Sequence, residues 1–219
     1  MTPSQSKKIQ LNLDLRLIER AIAGDVAACQ ILLDSGASVN AKTSSSGTTL
    51  LHYAARQGAL ALCQLFVERG AEVDAMNKMG STPLMEAAFG EYVEACDCLI
   101  DHGAEVNRVD HDGYSLLLWS VQFGHADVCA LLLRHGANPN VLTSKGLSPL
   151  YAAAIEDETD ICLMLLEYGA DPSEIDFFIT PEKIDSDLPD CALALKAWKS
   201  GRAARDALIG IAARNNAAP

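Results

Sequence analysis

Seven cysteines and five histidines are the side chains of this 219-residue sequence best suited to metal, redox or nucleophilic chemistry. Five of the cysteines, Cys29, Cys63, Cys96, Cys129 and Cys162, each stand seven residues before a glycine that opens a Gly-Ala pair. Equivalent places on successive packed helices lie ~8–10 Å apart. A disulfide needs Cα atoms within ~7 Å, and a tetrahedral zinc site needs sulfurs ~2.3 Å from one ion. The ladder is therefore expected to be free, buried and structural, each thiol acting as a small apolar residue. Cys96-x-Cys98 would point to different sides of a helix. His125-x-x-x-Cys129 could put two ligands on one helical face, yet the repeat register already accounts for both residues. With no Gly-rich phosphate loop, G-x-S-x-G or H-E-x-x-H present, no catalytic residue, metal or cofactor is expected.

The elements that carry these residues recur with a fixed period. Gly47, Gly80, Gly113 and Gly146 are 33 residues apart, and Gly70, Gly103, Gly136 and Gly169 keep the same interval. Gly36 lies 34 before Gly70, with the extra residue in the Ser44-Ser45-Ser46 run, where a loop absorbs it. Thr82-Pro83 reads as a helix start, the hydroxyl capping free N–H groups and the proline sitting where its missing donor costs nothing. Leu84, Ala87 and Ala88 recur at helical spacing. Gly103-Ala104 ends a second helix, because glycine accepts the left-handed conformation of a C-terminal cap. One such unit cannot bury its own apolar face, so neighbours must stack.

The residues inside the period carry a family resemblance. Gly80-Ser-Thr-Pro-Leu-Met-Glu-Ala-Ala88 resembles the ankyrin pattern G-x-T-P-L-H-x-A-A, and Gly47-Thr-Thr-Leu-Leu-His-Tyr-Ala-Ala55 matches it with leucine in place of proline. Gly146 to Ala154 is similar, and Gly113 to Val121 is the loosest copy. The resemblance implies an all-α fold with short β-turn or hairpin loops, a solenoid of stacked helix-turn-helix units. The expected organisation is an N-terminal tail over 1–13, repeats at about 14–43, 44–76, 77–109, 110–142 and 143–176, and a C-terminal helical cap over 177–219. Asp14 is expected to cap the first helix. Glu91 and Asp157 replace the inter-helix glycine held by Gly58 and Gly124, so the turns there should differ or be strained. Asn40, Asn107 and Asn140 fit the family's loop asparagine, as turn-stabilising residues. His52 and His125 fall where the family's histidines tie turns together.

Charge and hydropathy narrow the partner. Seventeen basic against twenty-nine acidic side chains leave −12, which repels phosphate backbones and anionic lipid. No stretch approaches ~18 uninterrupted apolar residues, and no signal-peptide pattern opens the chain. A monomeric, cytoplasmic protein that binds neither nucleic acid nor membrane is expected. From Glu156 to Asp190 twelve acids meet one base, whereas Lys196 to Pro219 carries five bases and one acid.

In ankyrin proteins the usual binding surface is the concave one, built from loop tips and the exposed side of the first helices. Residues that vary between repeats at matching places are the candidate readers. They are Tyr53 and Arg56 in the second unit, Met79 and Phe89 in the third, Tyr114, Trp119 and Phe123 in the fourth, and Leu147 and Ile155 in the fifth. Large apolar and aromatic side chains at wet positions are the composition of an interface hot spot. The function implied is a non-catalytic protein–protein interaction module, an adaptor, scaffold or effector-type binder. The alternative is an acidic inhibitor, of the immunity or antitoxin kind, that blocks a basic enzyme by presenting its acidic stretch.

Overall fold

The computed structural model describes residues 3–110 and 112–175, with side chains from 5 to 173. The expected C-terminal cap, the end of the acidic stretch and the basic tail lie outside these residues. The chain divides into two compact units, Met1–Glu105 and Val106–Pro219.

The first unit holds α1 (Pro3–Ile22), α2 (Val26–Asp34), α3 (Leu50–Arg56), α4 (Leu60–Glu68), α5 (Pro83–Phe89) and α6 (Val93–Asp101). The second holds α7 (Leu116–Gln122), α8 (Ala126–Arg134), α9 (Pro149–Ile155), α10 (Thr159–Glu167) and a 3₁₀ turn, Pro172–Ile175. Each odd helix packs on the even one that follows, and odd helices pack on odd ones within a unit. Among the described residues there are no strands, only two isolated bridges, Lys42 with Thr49 and Val109 with Ser115. None of these helices is long and apolar enough to cross a membrane.

Local chemistry explains the helix starts. Thr49, Thr82, Ser115 and Ser148 are N-caps whose hydroxyls accept the backbone N–H three residues on, at 3.1–3.4 Å. Pro83 and Pro149 occupy the first turn. The loops ahead of the caps close alike: Asn77 N–H donates to Ser81 O, Asp110 to Tyr114 O and Thr143 to Leu147 O. In the second repeat the same bond runs from Thr43 to Thr48 O, one residue longer, so the insertion in the serine run is absorbed where the spacing placed it.

Side chains then tie one repeat to the next. Asn40 Oδ1 accepts the Glu72 N–H at 2.9 Å while its Nδ2 donates to Gly70 O at 3.4 Å. Asn107 and Asn140 repeat this double bond in the second unit, to Asn138 and Gly136 and to Asp171 and Gly169. Asp74 holds the equivalent place and keeps only the accepting half, from Glu105 N–H at 3.1 Å, because a carboxylate has no proton to donate. His52 is fully buried; its Nε2–H donates to Ser81 O at 2.9 Å and its Nδ1 accepts from Thr49. Burial lowers its pKa.

The cores are leucine-rich: Leu50, Leu62, Phe66, Leu84 and Leu99 in the first unit, Leu117, Leu118, Leu131 and Leu132 in the second. Four ladder cysteines, Cys29, Cys63, Cys96 and Cys129, are free and buried among them, as is Cys98. Desolvation pushes the Cys29 thiol to about 11 and those of Cys63, Cys96 and Cys129 to about 12. Cys162 corrects the expectation, for it is disulfide-bonded. The other rungs are free, so the bond is not between rungs. The ladder spacing excluded that pairing, and this exclusion stands.

Two further expectations change. The segment taken as a tail is helical from Pro3, and Asp14 lies inside α1 instead of capping it. No glycine or second proline interrupts the run before Gly24, so the helix extends to its natural limit. Asp14 Oδ1 instead accepts the Ser38 N–H at 2.8 Å and pins the following loop. The turns at Glu91 and Asp157, expected to differ or be strained, are strained. Both adopt φ of 58°, close to the 61° and 69° of Gly58 and Gly124, so the turn is kept and the side chain bears the left-handed strain.

Candidate partner-binding surface

Of the nine residues expected to read a partner, the first unit carries four, which do not behave alike. Met79 at a loop tip is 77% exposed and Phe89 at the end of α5 is 44% exposed. Tyr53 is half-buried. Arg56 is committed within the fold: its Nε and Nη2 donate to Glu86 Oε2 and Oε1, both at 2.9 Å, and this pairing raises its pKa. Glu86, one repeat on from Tyr53, is buried and also accepts from Asn77 Nδ2. A lone buried carboxylate would be costly, and the bidentate fork is what makes it tolerable. Arg56 thus has a structural duty before any contact with a partner.

The second unit carries the other five and assembles three of them. Tyr114 sits in the hairpin loop before α7, its N–H held by Asp110 Oδ1 at 2.9 Å. Trp119 lies on α7 and Phe123 caps its C-terminus, four residues on, which puts the two rings on one helical face. The Tyr114 and Trp119 centroids are 4.8 Å apart with planes at 28°, and those of Trp119 and Phe123 6.0 Å apart at 17°. His125 extends the row, 5.7 Å and 29° from Phe123. Near-parallel rings at such separations are slid past one another. Phe123 is 56% exposed, whereas Tyr114, Trp119 and His125 are half-buried. Ile155 is exposed at the end of α9 and Leu147 is half-buried in the loop before it. The place equivalent to Trp119 one repeat on holds Ala152, which is buried.

Sequence reasoning placed His125 as a turn-tying residue and did not see that its ring continues the row. Its only signal was the two-residue spacing from Phe123 across a glycine, which is ambiguous until the turn is known. A second feature was equally hidden: a Cβ added to Gly124 would come within 2.9 Å of Glu158 Oε1, so a carboxylate lies against the turn that separates Phe123 from His125.

Ankyrin repeats, as a family model in three copies, match residues 17–110 and 103–176. The chain belongs to the ankyrin-repeat family. Among curated proteins none matches it. Ankyrin repeats are generally protein–protein interaction modules, and ankyrin-repeat proteins are typically non-catalytic. The hydroxyl caps, the loop asparagines and the Thr49–His52 capping box are the ankyrin scaffold. The aromatic row is not: Tyr114, Trp119 and Phe123 stand where the next repeat has Leu147, Ala152 and Glu156.

Proposed function

We propose that this ankyrin-repeat protein is a non-catalytic docking module that holds a protein partner on the second unit, with Tyr114, Trp119 and Phe123 at the centre of the contact. The observation that carries this reading is the row itself. Three large rings stack on a surface where the neighbouring repeat manages with Leu147, Ala152 and Glu156, so the scaffold does not require them. Rigid aromatic side chains give a large contact area at low entropic cost and dominate the energetics of interfaces. Leu147 and Ile155, one repeat on, extend the apolar area.

The test is site-specific photocrosslinking in extracts of the source cell. A photoreactive phenylalanine analogue at Phe123 should give a discrete adduct, and the same analogue at Ile31, which is 65% exposed on α2, should not. Adducts at Ile31 and none at Phe123 would place the contact elsewhere.

A further inference from the structure

The aromatic row is set in an acidic surround. Between 106 and 173 nine carboxylates face three basic groups, Arg108, Arg134 and Lys145. Several of these acids belong to the segments that carry or flank the rings. Asp110 and Asp112 lie in the loop that carries Tyr114, where Asp110 Oδ1 holds the N–H groups of Asp112 and Tyr114 at 2.9 Å and Asp112 is exposed. Glu156, Asp157 and Glu158 form the turn one repeat after Phe123-Gly124-His125, and the Glu158 carboxylate reaches back to Gly124. A purely apolar anchor would gain nothing from this arrangement, and an acidic segment would be repelled.

We infer that the Tyr114–Trp119–Phe123 row receives the arginine side chains of a basic, extended segment of the partner. This rests on the reading of the row as a docking surface and names what docks there. The argument is one of complementarity. A guanidinium is flat, so it can lie against an exposed ring such as Phe123, attracted by the negative face of the π system. It is also weakly hydrated and carries a rigid fork of donors that pairs with a carboxylate beside the ring. Rings flanked by carboxylates satisfy both demands at once. A lysine ammonium would meet the charge but neither stack nor fork, so arginine should be preferred to lysine.

A displayed library of random peptides, selected in parallel on the full chain and on its Phe123→Ala variant, separates the outcomes. Phe123 is more than half exposed, so its truncation leaves the fold intact. Peptides enriched on the wild type and lost on the variant should contain arginine, and a synthetic copy of one should bind at least about fivefold more weakly when its arginines become lysines. Dependence on Phe123 with sequences lacking arginine, or with lysine serving equally, would overturn the arginine assignment while leaving the docking surface standing. Selection of the same peptides on both proteins would remove the docking surface as well.

Discussion

The rings of Tyr114 and Trp119 lie 4.8 Å apart although a hairpin loop supplies one and a helix the other. The loop can place Tyr114 there because Asp110 fixes its backbone from four residues upstream, and Ser115 caps the helix at the next residue. The position of the pair is thus set by ankyrin scaffold chemistry, while its size is not. An aromatic pair of this kind adds about 0.5–1.5 kcal/mol beyond the area it buries.

Stability should depend on pH through His52. Its folded-state pKa lies below the unfolded value of 6.5, because burial disfavours the charged ring. The folded state therefore binds fewer protons than the unfolded chain near that pH. The contribution is present above 6.5 and is lost as pH falls below it. Urea denaturation between pH 7.5 and 5 should show falling stability, and His52→Gln should lower stability at pH 7.5 yet flatten this slope. An unchanged slope in the variant would assign the dependence to other groups.

Glu91 and Asp157 hold φ of 58°, where a side chain costs about 1 kcal/mol or more relative to glycine. Replacing either by glycine should raise stability by about 0.5–1 kcal/mol, after the greater freedom of glycine in the unfolded chain is deducted. Thermal melts of Glu91→Gly and Asp157→Gly test this; a loss in both would show that the side chains contribute more than their strain costs.

The Tyr92 ring is wedged between two glycines. A Cβ on Gly58 would come within 2.4 Å of it and one on Gly90 within 2.3 Å. Gly90 has an ordinary φ of −92°, so Gly90→Ala introduces a clash without backbone strain. It should cost about 1–3 kcal/mol, and Gly90→Ala with Tyr92→Ala should lose less than the two single changes added together. Strict additivity would mean that the ring simply swings aside.

Thiol reactivity follows from burial. With a pKa of about 12, roughly one Cys63, Cys96 or Cys129 group in 10⁴ is a thiolate at pH 8. Those groups and Cys29 should react with a disulfide reagent only on unfolding. Rapid reaction of all four in the native protein would show that the ladder opens.

Much of the scaffold was legible in the sequence because its signals are local. A hydroxyl three residues ahead of the amide it caps and a glycine at a helix end each act over a turn or two. What escaped depends on residues far apart in the chain. Arg56 varied as a contact residue should, and only its pairing with the buried Glu86, thirty residues on, shows that it has a structural duty. Tyr92 gave no sign that two glycines were its walls. Asp14 looked like a cap because it precedes an apolar run, yet an uninterrupted helix former upstream outweighs a cap signal. Tyr114, Trp119 and Phe123 were each placed as contact residues, but their union into one row with His125 needed the loop geometry.

Trp119→Ala, measured for both partner recovery and thermal stability, tests the central claim most directly. Removal of an interface anchor typically costs ~2 kcal/mol or more of binding, roughly thirtyfold in affinity. Docking at this row therefore requires that the variant lose its partner by that factor while its melting temperature falls only slightly, since Trp119 is not fully buried. A core tryptophan would instead cost ~3–5 kcal/mol of stability. A large fall in melting temperature with undiminished affinity of the folded fraction would contradict the assignment.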